Sequence, residues 1–330
     1  MVIFDSITAM RNTILPLLLV LLFAANNTQA QQAPKDTVYT GIYINSIHDI
    51  DFKQKEFAIS FWVWLRYRNK NFDFANNLEV PQAKSVDKAF YTIDTTGDRI
   101  YMIMKLQCVM KDNWRIANFP FDEQKLRVSI ENSQFDVNSL VFMPDTLGEH
   151  FDKRFTLRGW NIDSCIITSG VKKYETAFGV AGVAKQQSEY SAFRVRLSIT
   201  RNASGLFWKM FLGMYLAFLI SFICFFIHAD GMDSRFGLSV GSLFAVIGNK
   251  YIIDSSLPES TSFTLVDTLH GITLFFILLV IAANSYSLHL IKKNKPEGSV
   301  VFDKRMAVVV IVSYLLLNAW FIWQAKTTGG

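Results

Sequence analysis

Four apolar stretches follow one another after Arg201, at roughly 206–228, 235–253, 263–291 and 305–324, and each has about the length that crosses a bilayer. In hydrocarbon every backbone N–H and C=O must find its partner within the protein, so segments of this kind are restricted to helices. Composition agrees with a membrane protein that also carries a sizeable folded part: 51% of the 330 residues are apolar, and Phe (29) far outnumbers Tyr (11) and Trp (7). Residues 205–330 read as an all-α transmembrane bundle of four helices.

Ahead of the spans the period changes. Between residues 38 and 200, short runs rich in Val, Ile, Phe, Tyr and Trp are broken by Asn, Asp, Gly and Pro, the pattern of an antiparallel sandwich. In FAISFWVWLRYR, residues 57–68, alternation puts Phe61, Val63, Leu65 and Tyr67 on one face and Trp62, Trp64, Arg66 and Arg68 on the other. RIYMIMKLQCVM, QKLRVSIENS, GWNIDSCIIT and SAFRVRLSIT are further candidates. Residues 31–204 read as an all-β domain of about eight to ten strands.

The first 30 residues pass from Met1 and Arg11 into ILPLLLVLLFAA and then NNTQA, the layout of a signal peptide cleaved after Ala30. That places the mature N-terminus outside the cytoplasm and makes HADGMDSR and KKNKPEGSVVFDKR the inner connections. The second of these holds Lys292, Lys293, Lys295, Lys304 and Arg305, whereas the outer DSSLPESTS holds no basic residue. The positive-inside rule therefore gives the same orientation, that of a multi-pass protein of the plasma (inner) membrane.

Enzyme chemistry finds no foothold. There is no HExxH, GxSxG, phosphate-cradling glycine loop or GxGxxG after a strand, and the five histidines stand apart, so neither a catalytic residue nor a cofactor is implied. No Cys/His cluster suggests a metal. Cys108 and Cys165 are compatible with a disulfide or with two buried thiols. The net charge of +5 is interleaved along the chain and forms no nucleic-acid surface.

The second span, DSRFGLSVGSLFAVIGNKYIIDSSLPES, is the least apolar of the four. At about 100° per residue Gly237, Gly241, Phe244, Gly248 and Tyr251 form one stripe, and Ser239, Ser242, Val246, Asn249 and Ile253 form another on nearly the opposite face. The glycines suit close helix packing of the small-xxx-small kind or one face of a pore ringed by several copies of this helix. A four-helix bundle of this size leaves little room for a pore at its own centre, so a pore requires oligomerisation.

A β-sandwich feeding directly into four spans, with SSLPES after the second, resembles the pentameric ligand-gated ion channels of the Cys-loop receptor superfamily, in their prokaryotic branch. TGIYINSIHDIDFKQKEFAISFWVWLRYRN is similar to the family's first two strands, WRIANFPFDEQKLRV contains its FPFD turn, and RGWNID and RLSITRN are similar to two later strands. The resemblance implies a homopentameric channel opened by a small ligand or by protons. Its coupling interface would comprise Asp51, Phe119, Pro120, Phe121, Asp122, Arg201 and Pro258, with Asp122 and Asp51 as carboxylates for Arg201.

Its register along the second span gives Asp233 at the inner mouth, Gly237, Gly241 and Gly248 along the pore, Phe244 at a hydrophobic gate, and Tyr251 and Asp254 near the outer mouth. Bare polarity argues instead for the Ser239, Ser242 and Asn249 stripe. A ring of Asp233 implies cation preference, with neighbouring Arg235 able to screen it.

Departures from the family matter too. The positions of the two loop-closing cysteines hold Asp112 and Leu126, and the W-x-P-[DE] motif is missing between Asn69 and Lys88. The ligand site then rests on Trp62, contributed from the neighbouring subunit, and on Tyr174, Phe178 and Tyr190 of a capping hairpin. The expected partners are a second copy of the chain, a small ligand or protons, permeating inorganic ions and the bilayer. The alternative is a non-conducting membrane receptor or solute-binding protein of the same architecture.

Overall fold

The computed structural model describes residues 35–152, 154, 157–180, 186–228 and 231–328; the expected signal peptide lies outside them. The N-terminal half is a sandwich of two sheets. One contains β1 (Asp36–Asp51), β2 (Glu56–Tyr67), β4 (Ala83–Thr96), β5 (Arg99–Lys111) and β7 (Leu140–Pro144); the other contains β3 (Leu78–Glu79), β6 (Glu123–Asn132), β8 (Trp160–Tyr174) and β9 (Ser188–Arg201). Their orders are β4-β5-β2-β1-β7 and β3-β6-β9-β8. Neighbours are antiparallel apart from β1 and β7, which run parallel.

Alternation decides which face is buried. Phe61, Val63 and Leu65 of β2 join Leu126, Val128 and Ile130 of β6 and Phe193, Val195, Leu197 and Ile199 of β9 in one core. Burying such side chains contributes about 1.5–3 kcal/mol each. Cys108 belongs to this core, where burial pushes its thiol up to about 12. Cys108, Cys165 and Cys224 are all free, so the first two are packing residues.

One glycine on β1 has a specific reason. The Trp64 indole lies across Gly41, and a Cβ there would sit 2.2 Å from the ring. That position lets Trp64 Nε1 donate to Asp145 Oδ2 at 3.1 Å, beside the Arg66 guanidinium on the same oxygen at 2.9 Å.

Four helices follow: α1 (Ala203–Phe222), extended by a 3-10 turn over Ile223–Phe226, α2 (Met232–Asp254), α3 (Leu265–Lys292) and α4 (Pro296–Thr328). All four are long and apolar enough to cross a membrane. The chain is thus a β-sandwich joined to a multi-pass helical half. Thr264 and Asp267 form a reciprocal capping box at the start of α3. α4 starts ahead of its apolar run, at Pro296, because proline lacks only an N–H that the first turn leaves unused. At the centre of the bundle Tyr314 stacks on Phe218, ring centroids 3.7 Å apart, and its hydroxyl meets Thr273 Oγ1 at 2.9 Å, which satisfies its polar tip.

Gly41→Ala should drive Trp64 out of its seat and lower sandwich stability by roughly 1–3 kcal/mol. A thermal melt of the purified variant checks this; an unchanged midpoint would show that Trp64 is not held by the close approach.

Candidate functional site

The two stripes of α2 have different surroundings. Ser239, Ser242, Val246 and Ile253 are buried against the other helices, while Gly237, Gly241, Phe244, Gly248 and Tyr251 lie on the exposed side, with Phe244 67% and Tyr251 76% accessible. Among the described residues, no atom outside the adjoining turns of α2 lies within 4 Å of where a Cβ would stand on Gly237, Gly241 or Gly248, so no helix–helix contact there explains them. The buried serines are satisfied along the helix: Ser239 Oγ donates to the Arg235 carbonyl at 2.9 Å and Ser242 Oγ to that of Leu238 at 2.7 Å. Asn249 Oδ1 meets His270 Nε2 of α3 at 3.0 Å.

Charges at the ends of α2 are arranged differently from the sequence reading. Asp233 is exposed in the first turn. Arg235 does not share its face: its guanidinium is 2% exposed, pairs with Asp303 of α4 at 2.6 Å and donates to the Ile227 carbonyl at 3.0 Å. A buried Arg demands such a partner, and the demand turns it inward. At the other end Asp254 is not a free carboxylate, because Lys250 pairs with it at 2.6 Å and with Asp267 at 2.8 Å. Sequence reading missed Lys250, although its spacing of four from Asp254 was a usable signal.

The junction of sandwich and helices is built on Arg201, the last residue of β9. Its guanidinium binds Asp122 through two bonds, 2.7 and 3.1 Å, and lies over the rings of Trp160, Phe52 and Phe119 at 4.0, 4.6 and 4.8 Å. Gln124 Nε2 adds a third bond to Asp122 at 2.7 Å. Asp51 is a correction. Its carboxylate accepts from the Gln54 N–H at 2.8 Å, closing its own turn, and forms no ion pair with Arg201. The two residues share only the lining of a cavity of about 450 Å³ with Phe119, Ser256 and Leu257, next to buried Pro258.

The FPFD loop reaches the helices through backbone and rings. The Leu265 N–H at the start of α3 donates to the Ala117 carbonyl at 2.8 Å, and Phe121 packs on Phe207 of α1 at 5.6 Å. Pro120 is buried and follows a cis peptide.

Tyr174, Phe178 and Tyr190 do gather, with ring centroids 5.4, 5.9 and 6.4 Å apart. Beneath them is a residue that the sequence reading overlooked. Glu131, 4% exposed, accepts from Tyr174 Oη at 2.8 Å and from Ser129 Oγ at 3.4 Å. It stands opposite Glu79 in the β3–β6 ladder. Burial first, and Glu79 in addition, raises its pKa, against the lowering by the Tyr174 bond. Its only sequence signal was an acidic residue at an outward position of an alternating strand.

Trp62 lies apart, on the other sheet, edge-on to Phe90 at 5.9 Å and beneath the Lys105 ammonium at 5.8 Å. With Tyr43, Trp64, Tyr101 and Ile103 it lines a bowl of about 480 Å³. Within one chain it does not meet the Tyr174 cluster.

No family model matches the chain. Among curated proteins it is similar to pH-sensitive chloride channel 2 of Drosophila melanogaster, 20% identical over 251 residues. The match covers 67% of this chain and 47% of the relative, so the chain spans about half the length of the protein it matches.

Two measurements probe these groups. The Glu131 carboxyl is raised above its ordinary 4.5, so its contribution to stability is complete below pH 4.5 and is lost as pH rises through the folded-state value. Glu131→Gln should flatten melting temperature against pH in that window and raise it at neutral pH. Arg201→Gln, which strands a buried carboxylate, should cost about 3–5 kcal/mol. Adding Asp122→Asn should recover much of that loss, as a double-mutant cycle of unfolding free energies would show.

Proposed function

We propose that this chain is the subunit of a homopentameric ion channel, gated by a small extracellular or periplasmic ligand or by protons, with α2 lining the pore and the sandwich outside the cytoplasm. The observation that carries the reading is the mismatch between burial and polarity in α2. α2 and α4 are equally open within the chain, with only 22% of each span buried. The open surface of α4 is strongly apolar and suits lipid, whereas that of α2 is mixed: Val240, Ile247 and Ile252 lie beside a stripe of three glycines with Phe244 and Tyr251, bounded by Asp233. Lipid gives such a stripe little, and a shared aqueous axis gives it a use. The likeness to a pH-sensitive chloride channel supports the same class.

In this reading five Phe244 side chains close the pore by dewetting, and Gly237 and Gly241 leave a wide vestibule on the cytoplasmic side. Glu131 supplies a trigger. A buried carboxylate opposite a second carboxylate is relieved by a proton or by a cationic ligand, and its bond to Tyr174 passes the change to the capping hairpin. The Arg201–Asp122 seam then relays it to the helices. Selectivity follows from Asp233, whose face Arg235 does not share, and favours cations. The chloride in the relative's name favours the opposite sign.

Currents from reconstituted protein decide among these. Phe244→Ala should conduct without a stimulus, and Glu131→Gln, which holds the site in its neutral form, should conduct at rest and respond no further to acid. Under a salt gradient the reversal potential should lie on the cation side and move toward zero in Asp233→Asn; a chloride-side potential would remove Asp233 from the account. A Phe244→Ala variant that folds, assembles and stays silent would favour a non-conducting receptor.

A further inference from the structure

Near the end of α4 the outward face of β6 and β9 carries cations that the coupling seam does not use. Arg127 and Arg196 are direct partners in the β6–β9 ladder, and like charges placed opposite one another repel. Buried Asp112 pairs with Arg127. Arg196 and nearby Arg115 have no carboxylate partner among the described residues, and Lys125 reaches Glu123 only at 4.0 Å. These four cations line a cleft of about 490 Å³ whose walls also include Thr328 and two carboxylates, Asp122 and Glu123, the first already neutralised by Arg201. Thr328 ends a membrane-crossing helix and accepts from Asn118 Nδ2 at 3.2 Å, so the cleft opens at the level of lipid headgroups.

We propose that this cleft binds a phosphate-bearing anion. The guanidinium forks of Arg115 and Arg196 supply charge-assisted bonds, with Lys125 as a further point charge. An anion between Arg127 and Arg196 removes the repulsion that the ladder imposes. A phospholipid headgroup and free phosphate offer the same chemistry. The cleft also adjoins the seam: Gln124 bonds the Arg115 backbone from both ends of its amide, at 3.0 and 2.8 Å, and the same nitrogen reaches Asp122. The proposal stands whether or not the pore conducts.

The test uses the full chain in two forms. Protein in neutral detergent is titrated calorimetrically with inorganic phosphate, and protein in nanodiscs of phosphatidylcholine, with and without phosphatidylglycerol, is analysed for retained lipid by native mass spectrometry. Binding of phosphate alone identifies a free-anion site, and selective retention of phosphatidylglycerol identifies a headgroup site; either supports the proposal. In both arms the Arg115→Gln/Arg196→Gln variant should lose affinity about tenfold or more, with melting temperature and oligomeric state unchanged. Arg196→Lys should keep part of it. No binding in either arm, or equal binding by the variant, would overturn the proposal. So would dissociation of the oligomer in the variant, since the arginines would then serve contacts between copies.

Discussion

The guanidinium of Arg201 is where the two halves of this molecule become one. β9 ends on it and α1 begins at Ala203, so the chain leaves little slack between sheet and membrane. Enclosed by Phe52, Phe119 and Trp160 and bonded twice to Asp122, it fixes the FPFD loop against the first helix. A buried ion pair adds little net stability, because desolvation offsets most of its attraction, but it specifies geometry: only one placement of the loop satisfies both charges. The loop thereby touches α1 through Phe207, α3 through the Leu265 N–H and α4 through Thr328. α2 is joined to this frame one step later, by Lys250 reaching Asp267 in the capping box of α3.

That arrangement holds α2 by its polar groups and leaves its small residues free. Arg235 and Asp303 tie its N-terminal end to α4, the serines bond to their own helix, and Asn249 meets His270. Each of these polar side chains on the packed face finds a partner inside the chain, as a low-dielectric bundle requires. Polarity therefore says little about which face of such a helix meets water. The face without internal partners is the glycine and aromatic one, and function is proposed there.

Much of the fold was legible in the sequence because period and length are local signals. Alternation in FAISFWVWLRYR placed Phe61, Val63 and Leu65 in the core, and hydropathy found the four helices. The Arg201–Asp122 pair was anticipated from motif order. What local patterns do not contain is the direction of a charged side chain once competing partners exist. Asp51 bonds its own turn, and Arg235 swings to an aspartate 68 residues away. Glu131 was missed because its significance comes from Glu79 and Tyr174, which approach only through strand pairing and the capping hairpin.

The central claim is that the open stripe of α2 faces an aqueous axis, and cysteine accessibility tests it most directly. Single cysteines at Gly241, Phe244 and Gly248, and for comparison at Ser239 and Val246, are exposed to a charged, membrane-impermeant thiol reagent in reconstituted protein while ion flux is recorded. The account predicts modification and block at the first three and protection at the last two. Modification of the Ser239 and Val246 positions, with the glycine stripe protected, would contradict it.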